Sequence, residues 1–67
     1  PFNTELMIEA DSKISQISFY NTLGQVIKTQ EASDKKIILN NVDLQNGIYF
    51  LHIETEKGMV IKKVLKD

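Results

Sequence analysis

Apolar residues recur at every second position along much of this chain, and this alternation most limits the folds open to it. In residues 48–54, Tyr49, Leu51 and Ile53 fall on one side of an extended chain. A strand points successive side chains to opposite faces, so period-two alternation of β-branched and aromatic residues predicts strands. No segment requires a helix, and the chain is expected to be all-β.

Turn signals divide the alternating segments. Asn21 can bond its own backbone, and Gly24 can take the positive φ that closes a four-residue connection, so a hairpin is expected there. Asn46-Gly47 and the turn ending at Gly58 give two further reversals. The alternating segments are residues 2–9, 15–20, 25–30, 36–39, 48–54 and 59–65. This pattern predicts a small antiparallel, immunoglobulin-like β-sandwich of about six to seven short strands.

Length and composition limit the chain to one domain, residues 1–67. It has 67 residues, no cysteine and 42% hydrophobic residues, so one core must form without disulfides. A core of this size supplies no more than about 3 to 5 kcal/mol of net stability. Little stability remains to hold a strained active site.

The charge balance excludes several partners. Lys and Arg together number eight against nine Asp and Glu, for a net charge of -1. The basic excess typical of nucleic-acid binding is missing, so no nucleic acid is expected. No apolar run reaches the roughly 18 residues of a membrane helix, and the first residues do not resemble a signal peptide. Any export signal is expected to lie outside this fragment.

The residues needed for catalysis or metal binding are too few. His52 is the single histidine, and no pair of carboxylates falls close together on a buried face. The serines lie in no nucleophile motif, and the three glycines are too far apart to cradle a phosphate. We therefore expect no enzyme activity, no cofactor, no metal and no small-molecule substrate.

The basic segment Lys62 to Lys66 has two interpretations. Lysines on an exposed edge strand discourage pairing with stray strands, which makes a solvated edge the simpler one. The same residues could form part of a recognition element. Composition alone favours the solvated edge.

Four short blocks, in order and over nearly the whole chain, resemble the type A C-terminal sorting domain of proteins exported by the type IX secretion system of Bacteroidetes. Each block alone also fits an ordinary sandwich hairpin, but four in this order are fairly specific. The blocks are Pro1-Phe2-Asn3 with Leu6 and Ile8; Ile17 to Val26; Leu44, Gly47, Tyr49, Leu51 and Ile53; and Gly58 with Lys62-Lys63-Val64-Leu65-Lys66. Asp67 departs from the family's basic ending.

This resemblance implies a fragment of a larger secreted protein, carried across the outer membrane by this domain to the medium or cell surface. The implied partners are the type IX translocon, an outer-membrane shuttle protein and a sortase, which commonly removes the domain and joins the cargo to the surface. The domain would then be a substrate and not an enzyme. An exposed terminal strand could also pair with a second copy, so a strand-swapped homodimer is an open alternative.

The resemblance also assigns roles to residues. For translocon recognition, the candidates are Lys62, Lys63, Val64, Leu65 and Lys66. The motif residues with structural roles are Asn21, Gly24, Leu44, Gly47, Tyr49 and Gly58.

Rival functions remain for a small sandwich, because fold does not fix function. A carbohydrate-binding or spacer module of a secreted enzyme is the main alternative. A glycan platform needs exposed aromatics, whereas tryptophan is absent and the Phe and Tyr residues fall mainly at predicted core positions. A structural adhesion repeat is the second rival, although no internal repeat is visible.

Overall fold

A computed structural model describes residues 5–40 and 44–67, and nearly all of this backbone lies in strands. The four strands are β1 (Glu5–Tyr20), β2 (Val26–Asn40), β3 (Gly47–Thr55) and β4 (Gly58–Lys66). The all-β prediction is confirmed. The prediction of six to seven short strands in a sandwich is wrong, because the described strands are four and two of them are long.

The four strands form one sheet in the order β2-β1-β3-β4. Every neighbouring pair is antiparallel. β1 and β3 are therefore central, while β2 and β4 have a hydrogen-bonded neighbour on one side only within the described residues. This arrangement corrects the expected pair of separate sheets.

β1 must bend to fit the molecule. Sixteen residues of extended chain would span about 50 Å at 3.3 Å per residue. The longest extent of the molecule is 30 Å. The β1–β2 register breaks between the pairs Glu9↔Lys36 and Ile14↔Asp34, and we infer that the bend falls there. Extra residues on one strand bend it and increase its twist, which explains how one sheet can enclose a core.

The sequence predicted a break inside what proves to be β1 and another inside β2. Both predicted breaks lie where the β1–β2 pairing is irregular. Residues 10–13 on β1 and residues 31–35 on β2 are polar or small, so the sequence suggested connections there. In the structure the backbone stays extended through both and absorbs the mismatch as register shifts. Ser12, expected in a turn or facing outward, is buried at this bend.

The core joins both halves of the bent sheet. Its buried members are Ile8, Ile14, Ile17, Phe19, Tyr49, Leu51 and Ile53. Ile8 precedes the bend in β1 and Ile17 follows it, so the bend brings the two halves of one strand into the same cluster. Burying these side chains stabilises the fold by about 1.5 to 3 kcal/mol each before the entropy of ordering is subtracted.

The β3–β4 hairpin is fastened to the bend of β1. The backbone N–H of Glu56, in the hairpin turn, donates to the carbonyl oxygen of Lys13 at 3.1 Å. The Ser15 hydroxyl donates to the carbonyl oxygen of Glu54 at 3.2 Å. These bonds fix the start of β4 relative to the rest of the sheet.

Candidate functional site

β4 carries all five candidate recognition residues, and its pairing is regular. It pairs with β3 without a register shift from Thr55↔Gly58 to Gly47↔Lys66. In an antiparallel strand, every second residue directs its backbone N–H and C=O away from a given neighbour. Within the described residues, β4 therefore offers an uninterrupted row of backbone groups along its outer edge.

The five candidates do not form one uniform surface, because alternate residues face opposite sides of the sheet. Lys66 is only 7% exposed, and Val64 packs against the core. The Lys66 Nζ donates to the carbonyl oxygen of Asp67 at 3.3 Å. Lys62, Lys63 and Leu65 are exposed. Recognition through side chains is thus available at three of the five positions, while Val64 and Lys66 help to hold the strand.

The outward face of β4 is unusually apolar for an edge strand. Met59, Ile61 and Leu65 alternate along it and are 57%, 58% and 43% exposed. Lys63 lies between Ile61 and Leu65 on the same face. A solvated edge would place polar residues at these positions, so the face is suited to contact with a partner.

This apolar face continues across the sheet. Phe50 and His52 on β3 are half-buried, and the rings of His52 and Tyr20 stack with centroids 4.0 Å apart at 30°. Together with Ile61 and the turn after β1, they line a shallow depression of about 360 Å³. Of the described Phe and Tyr residues, Phe19 and Tyr49 are buried in the core, while Tyr20 and Phe50 are not. The prediction that aromatics fall mainly in the core is thus only half correct.

Two lysines of β4, Lys62 and Lys63, lie opposite residues of β3 that carry no carboxylate. Lys62 pairs with Leu51, and Lys63 pairs with Phe50. The other edge of the sheet differs, because Lys36 of β2 lies opposite Glu9 of β1. Opposite charges directly across a strand pair offset each other. No opposite charge therefore lies directly across the β3–β4 pair from Lys62 or Lys63, whereas Lys62 borders a groove that Glu9 and Asp11 also line.

The opposite face of β4 borders a groove between its hairpin and the bend of β1. The groove has a volume of about 340 Å³. Lys57 and Lys62 lie on one side, and Glu9 and Asp11 lie on the other. Sequence reasoning missed this groove, since it depends on the bend that brings residues 9–12 near β4.

Asn21 builds the turn between β1 and β2, as the sequence predicted. Its Oδ1 accepts from the N–H of Leu23 at 2.9 Å and of Gln25 at 3.0 Å, and its Nδ2 donates to the Gln25 Oε1 at 2.9 Å. Gly24 has a φ of 82° and donates its N–H to the Asn21 carbonyl oxygen at 3.1 Å. Side-chain bonds of this kind favour a turn over continued strand.

Tyr49 anchors the entry to β3. Its ring is buried, and its hydroxyl donates to the carbonyl oxygen of Gln45 at 2.7 Å. A similar bond from a tyrosine to backbone a few residues upstream occurs in immunoglobulin-like sandwiches. Leu44 packs on the core, as expected, whereas its predicted companion Val42 lies outside the described residues. Gly47 begins β3 and Gly58 begins β4.

The family comparison agrees with this distribution of motif residues along the chain. The family model described as a secretion system C-terminal sorting domain matches residues 1–67. The chain belongs to this family. Its members are C-terminal sorting signals of type IX secretion, whose substrates are exported. The sorting domain is thus a signal-bearing module of a non-catalytic family.

A solved structure supports the fold of the sorting domain. The structure of the CBM51-2 and INT domains from Clostridium perfringens ZmpB matches with a TM-score of 0.59 and 19% sequence identity. The match covers 98% of the sorting domain and 17% of that chain. At this identity, the likeness shows a shared fold alone. No curated protein shows significant similarity to the chain.

Within residues 5–40 and 44–67, no three His, Asp or Glu side chains converge as metal ligands would. The same residues include no helix long and apolar enough to cross a membrane.

Proposed function

We propose that this domain is a removable sorting signal for export across the outer membrane. The type IX translocon and its shuttle protein would recognise it through β4. The observation that carries the proposal is a family match over residues 1–67 combined with a regularly paired strand that holds the family's basic block and has one hydrogen-bonded neighbour among the described residues. Backbone groups at such an edge supply affinity, and the side chains beside them set the register.

The recognition residues divide into two roles. Lys62, Lys63 and Leu65 are accessible and would contact the machinery directly. Val64 and Lys66 face the core side and would keep β4 in place. The motif residues Asn21 and Tyr49 contribute indirectly, because they fix the turn and the strand entry on which the sheet depends.

Removal by a sortase is the second part of the proposal. A compact domain with its own core can be cut from an upstream cargo without unfolding that cargo, which suits a detachable signal. The sortase would then join the new end of the cargo to the cell surface. The domain is the substrate in this reaction and contributes no catalytic group.

A reporter fusion tests both parts. An inner-membrane signal, a reporter and residues 1–67 are expressed in a Bacteroidetes host, beside a fusion that lacks the domain. We expect the complete fusion at the surface or in the medium and the shorter one in the periplasm. In a host without the sortase, the exported reporter should keep the mass of the domain. Equal retention of both fusions, with the domain folded, would contradict the sorting role.

A carbohydrate-binding role is the second candidate, and one observation favours it. The stacked rings of Tyr20 and His52 lie beside Phe50 in a shallow depression on the outer face of the sheet. Aromatic faces on a sheet can support a sugar ring. Titration calorimetry with soluble glycans distinguishes the candidates, because the sorting role predicts no binding heat and no change when Tyr20 is replaced by Ala.

A further inference from the structure

The two edges of the sheet differ in how readily they accept another strand. The pairing of β2 with β1 is interrupted by register shifts between Glu9 and Ile14, between Ile14 and Gln16, and between Phe19 and Tyr20. Irregular edges twist away from a flat template and resist added strands. β4 has no such interruption over its nine residues. Among the strands that the structure describes, the edge more open to an added strand is therefore that of β4.

The charge on β4 indicates what kind of strand would fit. The strand contains lysines at 62, 63 and 66 and no acidic residue. The β3 residues opposite and diagonal to Lys62 and Lys63 carry no carboxylate. β2 combines its lysines with Glu31 and Asp34. An added strand with acidic residues at two adjacent positions would place one carboxylate beside each exposed lysine, on opposite faces of the extended sheet.

The apolar residues of β4 specify the remaining positions. Met59, Ile61 and Leu65 are large and exposed on the outward face, and Val60 is exposed on the other. Cross-strand contacts with apolar side chains would cover all four. The fitting segment is therefore extended, apolar at most positions and acidic at its centre.

We propose that β4 accepts such an acidic, otherwise apolar, extended segment of the export machinery as an added strand beside β3–β4. The inference rests on the proposed sorting function and names the chemistry of the receptor segment. The backbone edge gives the added strand its affinity, while Lys62 and Lys63 select it by charge and fix its register.

A second copy of this chain is a poorer occupant of the same edge. In an antiparallel pairing of two β4 strands centred on Lys62 or on Lys63, that lysine lies opposite the same lysine of the other copy, because opposite residues share a face. Parallel pairing of the same two edges turns one copy over and can place Lys62 of one copy beside Lys63 of the other. Like charges directly across a strand pair are destabilising, so the lysines that attract an acidic segment also discourage self-pairing.

The test uses the isotope-labelled domain and capped peptides of the nine-residue length of β4. One peptide alternates valine and threonine around two central glutamates, and the other has two central lysines instead. We expect the glutamate peptide to shift the amide NMR signals of β4 and to bind about tenfold more tightly than the lysine peptide. Equal binding of the two peptides, shifts confined to β2, or no binding would overturn the inference.

A charge exchange provides the matched control. The variant Lys62→Glu/Lys63→Glu should reverse the preference and bind the lysine peptide more tightly. The variant Lys35→Glu/Lys36→Glu makes the same charge change on β2, where both lysines are exposed, and should keep the original preference. An unchanged preference in the β4 variant would overturn the inference, as would β4 shifts that appear on concentration without peptide.

The two proposals fail separately. Normal export of the reporter with no charge preference at β4 would overturn the acidic-strand inference and leave the sorting function standing. Periplasmic retention of the intact fusion, with peptide binding at β4 preserved, would instead overturn the sorting function.

Discussion

Tyr49 combines two contributions in one side chain: its ring fills the core, and its hydroxyl holds the backbone at Gln45. Tyr49→Phe keeps the ring and removes the bond, so we expect a loss of about 1 kcal/mol in the free energy of unfolding. Urea denaturation measures the change. Tyr20→Phe is the control, since that ring lies outside the core, and should alter stability by less than about 0.5 kcal/mol. Equal losses would contradict the anchoring role.

Asn21 is the second residue whose side chain determines the local backbone conformation. Asn21→Ala removes the three side-chain hydrogen bonds of the turn and should lower stability by about 1 kcal/mol. Gly24→Ala should lower stability by a similar amount, because alanine is strained at this positive φ. A steric clash would not contribute, since no atom lies within 4 Å of the added Cβ. Thermal unfolding checks both. A neutral result for Gly24→Ala would show that this turn tolerates another conformation.

At the scale of elements, the sequence predicted β3 and β4 to within one residue at each end, since Asn46-Gly47 and the turn ending at Gly58 mark where each strand begins. It did not predict the continuity of β1 or β2. Polar residues near Ser12 and Asp34 look like connections, and only pairing with a neighbouring strand shows that they remain extended. Burial of Ser12 is a consequence of the bend and has no local signal. Tertiary pairing therefore overrode the turn propensity at both positions.

The candidate site was predictable in its location but not in its orientation. Alternation alone implies that neighbours within Lys62–Lys66 face opposite sides. Which side faces the core depends on the β3–β4 register, which sets Tyr49 opposite Val64. The exposed apolar row of Met59, Ile61 and Leu65 was equally consistent with a core face until β4 was placed at the edge.

Two isoleucines distinguish the central strands from the edge. Ile17→Thr on β1 keeps the β-branch but buries a hydroxyl in the core, so a loss of about 3 kcal/mol is expected. Ile61→Thr on the exposed face of β4 should change stability by less than about 0.5 kcal/mol. Urea midpoints compare the two variants. A large loss for Ile61→Thr would mean that its face is covered by the protein itself.

At the scale of the whole molecule, the positive charge on β4 affects whether the domain is a monomer or a dimer. We expect a monomer by light scattering over a wide concentration range, because paired β4 strands would oppose their lysines. Replacing Lys62 and Lys63 with Thr removes this repulsion from a straight apolar edge and should promote dimers. The same replacement at Lys35 and Lys36 should not, since the β2 edge is irregular. A dimer of the unmodified domain would contradict this view of the edge.

The central claim is that β4 is the part of the domain that the export machinery reads. The chain contains its own control, because Lys35-Lys36-Ile37-Ile38 on β2 repeats the basic-then-apolar order of Lys62-Lys63-Val64-Leu65 on β4. In both segments, the lysines and the fourth residue are exposed, while the third is half-buried. Replacing these three exposed residues by Ser therefore removes the same kinds of side chain from either edge, and on β2 it also removes the lysine opposite Glu9.

The most direct measurement is the exported fraction of the reporter for these two triple variants, with domain folding verified by circular dichroism. We expect the Lys62→Ser/Lys63→Ser/Leu65→Ser fusion to remain in the periplasm and the Lys35→Ser/Lys36→Ser/Ile38→Ser fusion to be exported as the unmodified one is. Export of both, or retention of the β2 variant alone, would contradict the account.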